Sequence, residues 1–464
     1  MAAARSPPMV ATRPERSVMK AKILQFWDRL RSSFWFVPAL MTGASVLLAL
    51  GAVSIDEAMS SDWIQASRWT YTGGADGASL VLSTIAGSMI TIAGVVFSMT
   101  LVALSLASSQ LGPRLLRNFM RDTINQMVLG TFVATFVYCL LVLRTIRRPE
   151  EIAFIPHLAV GVGVLFGLAS LGVLIYFIHH VAVSIQADEI VARVGTELVE
   201  EIDHHFPEST ERAKAAVAPS LAALPDGYHL GARPIGAARD GYVQVVDLDA
   251  LMKLAVEGDM VFRLERMPGQ YVVMGRPVAM VWPGNRITDL LANEIRSAVA
   301  VGNHRTAPRD YKLAVHQLVE IAVRALSPGI NDPFTAIACI DRLGSALCRL
   351  APREMPSPHH VDTQGRLRLI HVSPTFSGIV NAAFNQIRQH SRSNAAVSIH
   401  MLDTIAMIAG TCLRAEDRAS LRRQADMIAR GAREALPEAE DRRTLGERYQ
   451  AARRVLRHTG NPDR

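Results

Sequence analysis

The sequence predicts an α-helical membrane protein with four transmembrane helices, followed by a cytosolic α+β part made of a small β-domain and a helical array. Three observations carry this expectation. Half of the 464 residues are hydrophobic and the mean hydropathy is positive, which is unusual for a soluble chain. Almost all long uncharged runs fall before residue 180, and the charged residues concentrate after it. Past residue 240 the apolar period changes from helical to two, then back to helical.

The first half supplies the spans. Four runs, Phe34–Ile55, Leu80–Leu111, Ile124–Leu143 and Ile152–Ile178, contain no Asp, Glu, Lys or Arg, and each reaches the about 20 residues a bilayer core requires. The polar and basic stretch ahead of the first run reads as the flank of a retained signal anchor rather than a cleaved leader. Lys20, Lys22, Arg29 and Arg31 precede the first span, and Arg114, Arg117 and Arg121 separate the second from the third. The excess of basic residues on these two segments places both termini in the cytoplasm. Arg144, Arg147 and Arg148 in the third loop run against this topology. Trp27, Trp35, Trp63 and Trp69 suit interfacial anchoring. The expected organisation is a basic cytosolic N-terminus over 1–33, a four-helix transmembrane domain over 34–180 and a helical connector over 181–235. A small β-domain over 236–285 and a cytosolic α-helical domain over 286–464 complete it.

The second span is the most informative. Thr84, Ser88, Thr91, Ser98, Ser105 and Ser109 recur at separations of three, four or seven, so they share one helical face, with Gly87 and Gly94 close by. Two readings stand: small residues that let helices pack closely and bond across the contact, or the wet wall of a pore. In the second case Arg114, Arg117 and Arg121 form a basic cytosolic mouth.

The second half opens with a helical, amphipathic continuation of the fourth span to about Pro207. Its EEIDHHF stretch holds metal-binding residue types, yet on a helix these side chains radiate instead of converging, so a charged surface is expected. The segments GYVQVVD, MVFRLER and YVVMGRPVAMVW are β-rich, with turns at Pro268-Gly269 and from Gly275 to Pro277. Their glycine-punctuated pattern resembles biotinyl- and lipoyl-type barrels. Lys253, however, sits in the helical pattern Leu248, Leu251, Met252, Leu254, Ala255 and not at a hairpin tip, so modification is not expected. Tyr311, Val315, Leu318, Ala322 and Leu326 then form an apolar helical stripe that stops at Ser327-Pro328-Gly329. After Asn331, Asp332 is placed to cap a new helix and Pro333 suits its first position, making the motif a corner between two helices. Phe334, Ile337, Ile340, Leu343, Leu347 and Leu350 are expected on the buried face of that helix. Ser373-Pro374 repeats the device, and Val397, Met401, Ile405, Ile408 and Cys412 extend the array.

Composition narrows function. The net charge of +7 is spread over helix surfaces with interleaved acids, which argues against nucleic acid as a partner. The four cysteines show no metal spacing and read as buried thiols of a reducing compartment. No GxSxG, HExxH, P-loop, GxGxxG or paired metal motif is present, so neither an enzyme nor a cofactor is expected.

The SQLGPRLLRNFMRD exit of the second span, PGQYVVMGRPVAMVWP and LVEIAVRALSPGINDPFTAIACIDRL together resemble the bacterial predicted membrane proteins grouped as domain of unknown function family 2254. The resemblance implies a multi-pass inner-membrane protein and supplies no activity or site. With uncharged spans, ion-coupled pumping is disfavoured. An oligomeric, channel-like protein with a cytosolic regulatory domain is the expectation. A membrane-anchored regulatory or scaffolding protein that binds a ligand or partner is the alternative.

Overall fold

The computed structural model describes residues 35–58, 74–111, 123–147, 154–184, 186–206, 224–303 and 311–457, with 208 and 305 besides; the side chains of 107–111 are not among those described. The chain divides into two units, Met1–Gln186 and Ala187–Arg464.

Four helices build the first unit: α1 (Phe36–Ala58), α2 (Ala75–Leu111), α3 (Thr123–Thr145) and α4 (His157–Ser184). All four are long and apolar enough to cross a bilayer. Helix α3 packs against the other three and buries Phe132, Tyr138, Cys139 and Val142 completely. Its Gly130 has a packing reason, because a Cβ there would lie 2.6 Å from Met41 Sδ and 3.2 Å from Pro38 Cα of α1. Buried hydroxyls tie the helices together: Thr135 and Ser170 share a bond of 3.2 Å, and Tyr138 donates to the Ala159 carbonyl at 3.0 Å. Such bonds replace the hydrophobic drive that hydrocarbon cannot supply between spans.

The amphipathic stretch after the fourth span is a separate helix, since α4 ends at Ser184 and α5 runs Ala187–His205. Helix α5 turns Ile190, Val191, Val194, Leu198 and Ile202 into the second unit.

A β-rich part follows, with β1 (Arg233–Gly236), β2 (Gly241–Val246), α6 (Leu248–Glu257), β3 (Val261–Leu264), β4 (Tyr271–Val272), β5 (Pro277–Trp282), α7 (Asp289–Ala298) and β6 (Val299–Gly302). After α8 (Tyr311–Ala325) and α9 (Pro333–Leu350) the chain returns with β7 (His359–Val361) and β8 (Leu367–Ile370). The strand orders are β1-β5-β3-β8-β7 and β4-β2-β6. Only β3–β8 is parallel among these pairings. Both sheets share one core, in which Val243 and Val301 meet Phe262, Val281 and Leu369 under Leu251 and Ala255 of α6. Lys253 lies on α6, 3.7 Å from Glu257 on the same helix. The β-region thus exceeds the 236–285 expected: β1 starts earlier, and β6, β7 and β8 fall inside the stretch read as helical. Strands of three or four residues, such as HHV, carry too few positions to show a period of two.

Helices α10 (Phe376–His390), α11 (Ala395–Thr411), α12 (Ala415–Ala435) and α13 (Ala439–Arg457) complete the array. Phe376, Ile379, Val380, Ala383, Phe384 and Ile387 of α10 and Val397, Met401, Ile405 and Ile408 of α11 are buried, as is Cys412 just after it. Phe334 departs from its expected place: it is 80% exposed at the first turn of α9 while Ile340, Leu343, Leu347 and Leu350 are buried.

Candidate functional site

The two faces of α2 differ sharply. Leu82, Ala86, Met89, Ala93, Val96 and Ala103 are buried in the first unit. Thr84, Ser88, Thr91, Ser98 and Ser105 lie on the opposite side and are exposed. A Cβ built on Gly87 or Gly94 meets nothing within 4 Å. The hydroxyls of Thr84, Ser88 and Thr91 donate to the carbonyls of Leu80, Thr84 and Gly87 four residues back, at 2.7, 2.8 and 2.9 Å. Back-bonding satisfies these groups within the helix. The Ser109 side chain and Arg114, Arg117 and Arg121 lie outside the described residues.

The SPGINDP segment forms the corner between α8 and α9. The Ser327 hydroxyl donates to the Arg324 carbonyl at 2.6 Å, and the Asp332 N–H reaches the Ala325 carbonyl at 2.7 Å. Asp332 caps α9, accepting from the Thr335 N–H at 3.1 Å and from the Thr335 hydroxyl, with Pro333 in the first turn. The Thr335 hydroxyl, then the backbone donors, hold the Asp332 carboxyl below the usual carboxylate range. The left-handed residue of the turn is Asn331, with φ of 50°, and not Gly329; asparagine tolerates that conformation better than most residues. Asp332→Ala is expected to cost about 0.5–2 kcal/mol, with Asn or Ser largely restoring it. Urea denaturation of the three variants decides this. Equal losses in all three would remove capping as the explanation. Before α10 the cap is Thr375, which accepts from the Gly378 N–H at 3.0 Å; the expected Ser373-Pro374 pair precedes it.

The charges of EEIDHHF serve the fold. Asp203 accepts from Arg349 at 2.6 Å and from Arg353 at 2.5 Å; the Arg349 bond, with the Arg353 pair beside it, keeps the carboxyl low. His205 Nδ1 lies 2.9 Å from the Glu201 carbonyl. Among the described residues no three His, Cys, Asp or Glu side chains are grouped to hold a metal ion.

Sequence reasoning did not single out a histidine pair in the β-region. His360 of β7 and His371, the residue after β8, lie side by side with ring centroids 5.0 Å apart and their planes tilted by 32°. Burial and the neighbouring His371 lower the pKa of His360, with His359 adding to this and Asp249 opposing it. Burial also lowers His371, against a backbone bond at Val372. A folded state that resists protonation holds fewer protons than the unfolded chain just below the ordinary 6.5. Stability therefore rises with pH across that window and is lost on acidification. Thermal unfolding measured on either side of pH 6.5 is expected to show this acid limb. His371→Phe is expected to flatten it; an unchanged limb in that variant would assign it elsewhere.

The comparisons fit this architecture. The family described as predicted membrane protein (DUF2254) matches residues 31–407. An uncharacterised protein of Mycobacterium bovis and another of Mycobacterium tuberculosis are each 32% identical over 423 residues, spanning 89% of this chain and 79% of the relative. No solved structure matches the chain. Four apolar helices ahead of a mixed helix-and-strand unit, matched over most of their length, place the chain in the DUF2254 family of predicted membrane proteins.

Proposed function

We infer that the protein is an oligomeric, channel-like conduit of the bacterial inner membrane whose second unit is a cytosolic regulatory domain, with both termini in the cytoplasm. One observation carries this reading. The small and hydroxyl-bearing face of α2 points away from the chain's own core, with Gly87 and Gly94 open to close approach. Small residues four apart, such as Gly87 and Thr91, are what helix contacts in lipid use, and the natural occupant is the same face of another copy. At about 1.5 Å per residue, the 37 residues of α2 exceed what a bilayer core needs, so the helix can also form a vestibule. A membrane-anchored regulatory protein is the second reading, favoured by a cavity in the second unit.

The test is Ser98→Leu combined with Ser105→Leu. Both positions are exposed, so the single chain should fold unchanged. The expected result is a smaller oligomer in cross-linking, or reduced conductance in reconstituted bilayers. An unchanged oligomer together with unchanged flux would sink the reading. Labelling of a cysteine at Glu201 only after permeabilisation checks the orientation.

A further inference from the structure

In the second unit, α8 and the approach to α10 enclose a cavity of about 250 Å³ lined by Tyr311, Lys312, Val315, His316, Thr375 and Ile379, among others. That volume lies just under the about 300–1,000 Å³ of drug-sized sites, which sets a small ligand. Its chemistry is one-sided. No acidic side chain is among the described residues that line it, whereas Lys312 and His316 stand one helical turn apart on α8. A third basic group joins them, since Arg305 Nη1 lies 3.4 Å from His316 Nδ1. Arginine cannot accept, so Nδ1 is the acceptor in this contact. Tyr311 is fixed by the rings of His205 and Phe206, at 5.5 and 5.3 Å, which holds the start of α8 in place. Val315, Pro374, Ile379 and Ala382 give the wall an apolar side, with Ser373 and Thr375 beside it.

We propose that this cavity binds a small organic anion, a carboxylate on a compact apolar body. The carboxylate meets Lys312 and His316, and the body rests on Ile379 and Ala382. Charged bonds of this kind are the strong ones in a partly enclosed site. The apolar wall distinguishes the ligand from a free inorganic ion. This assignment is independent of the conduit reading, because it concerns binding alone.

The experiment is calorimetric titration of the full-length protein in nanodiscs with butyrate, inorganic phosphate and butylammonium. Saturable binding of butyrate, weaker binding of phosphate and none of butylammonium is expected. Lys312→Met should weaken butyrate binding by about tenfold or more, the scale of one lost charged contact. Ala382→Leu, which fills the cavity and leaves the lysine, should do the same. Lys253→Met on α6 should change nothing. Absence of saturable binding up to tens of millimolar overturns the proposal. So does butyrate binding that ignores both the Lys312 and Ala382 variants, or that is no tighter than phosphate.

Discussion

Arg353→Met is expected to destabilise the second unit by about 2–4 kcal/mol, through loss of charged hydrogen bonds and the stranding of their partners. Arg353 is 5% exposed at its side chain. One guanidinium nitrogen donates to the carbonyls of Ile202 and Phe206, at 3.1 and 2.6 Å, and the other to Asp203 at 2.5 Å. The Ile202 carbonyl also accepts from the Phe206 N–H at 2.9 Å, whereas the Phe206 carbonyl lies just past the end of α5, where acceptors lack intrahelical partners and the helix dipole favours a cation. Methionine fills much of the same volume and satisfies none of them. Arg349 supplies the contrast, because it binds the same Asp203 carboxylate yet is half exposed. Water can replace it, so Arg349→Ala should cost much less. Chemical denaturation of both variants checks this. Comparable losses would mean that the ion pair with Asp203 matters and the helix-end carbonyls do not.

The pairing of Arg353 with α5 shows what local sequence could not reveal. Elements whose signal is periodic were legible: the four spans, the stripes of α10 and α11, and the helix α6 that carries Lys253. The corner was legible too, because Asp332-Pro333 states its own capping chemistry within two residues. Phe334 was misplaced because the first turn of α9 buries Thr335 and Ala336 instead, and periodicity fixes a helical face only where the partner is present. The short strand β8 gains its identity from pairing with β3, about one hundred residues away, and β7 from pairing with β8; nothing in HHV or LRLI announces it. Arg353 and Asp203 are 150 residues apart, so neither periodicity nor motif could join them. The α2 face was read as six residues sharing one side. The sequence could not tell whether its own chain would cover that side, and the fold leaves Thr84, Ser88, Thr91, Ser98 and Ser105 exposed.

Asp56→Ala is the corresponding expectation in the first unit, a loss of about 2–3 kcal/mol from two charged hydrogen bonds whose donors are left buried. Asp56 falls just past the first uncharged run, yet it sits in the last turn of α1 and is 6% exposed. Helix α4 begins at His157, and the Val160 N–H bonds the Pro156 carbonyl at 2.9 Å, which makes Pro156 the capping residue. Proline has no side-chain acceptor, so the first turn of α4 cannot cap itself. Asp56 supplies the cap from another helix: its two oxygens accept from the N–H groups of Leu158 and Ala159, at 3.0 and 2.9 Å. A carboxylate at a helix N-terminus is also on the favourable side of the dipole. Near a bilayer, uncapped donors cost more than in water, because fewer competing partners exist. Asp56→Asn keeps one acceptor and should lose about half as much, whereas Glu57→Gln, next in sequence and exposed, should be neutral. Unfolding midpoints of the three variants in one detergent give the comparison. A neutral Asp56→Ala, or a loss matched by Glu57→Gln, would show that α4 is held without this cap.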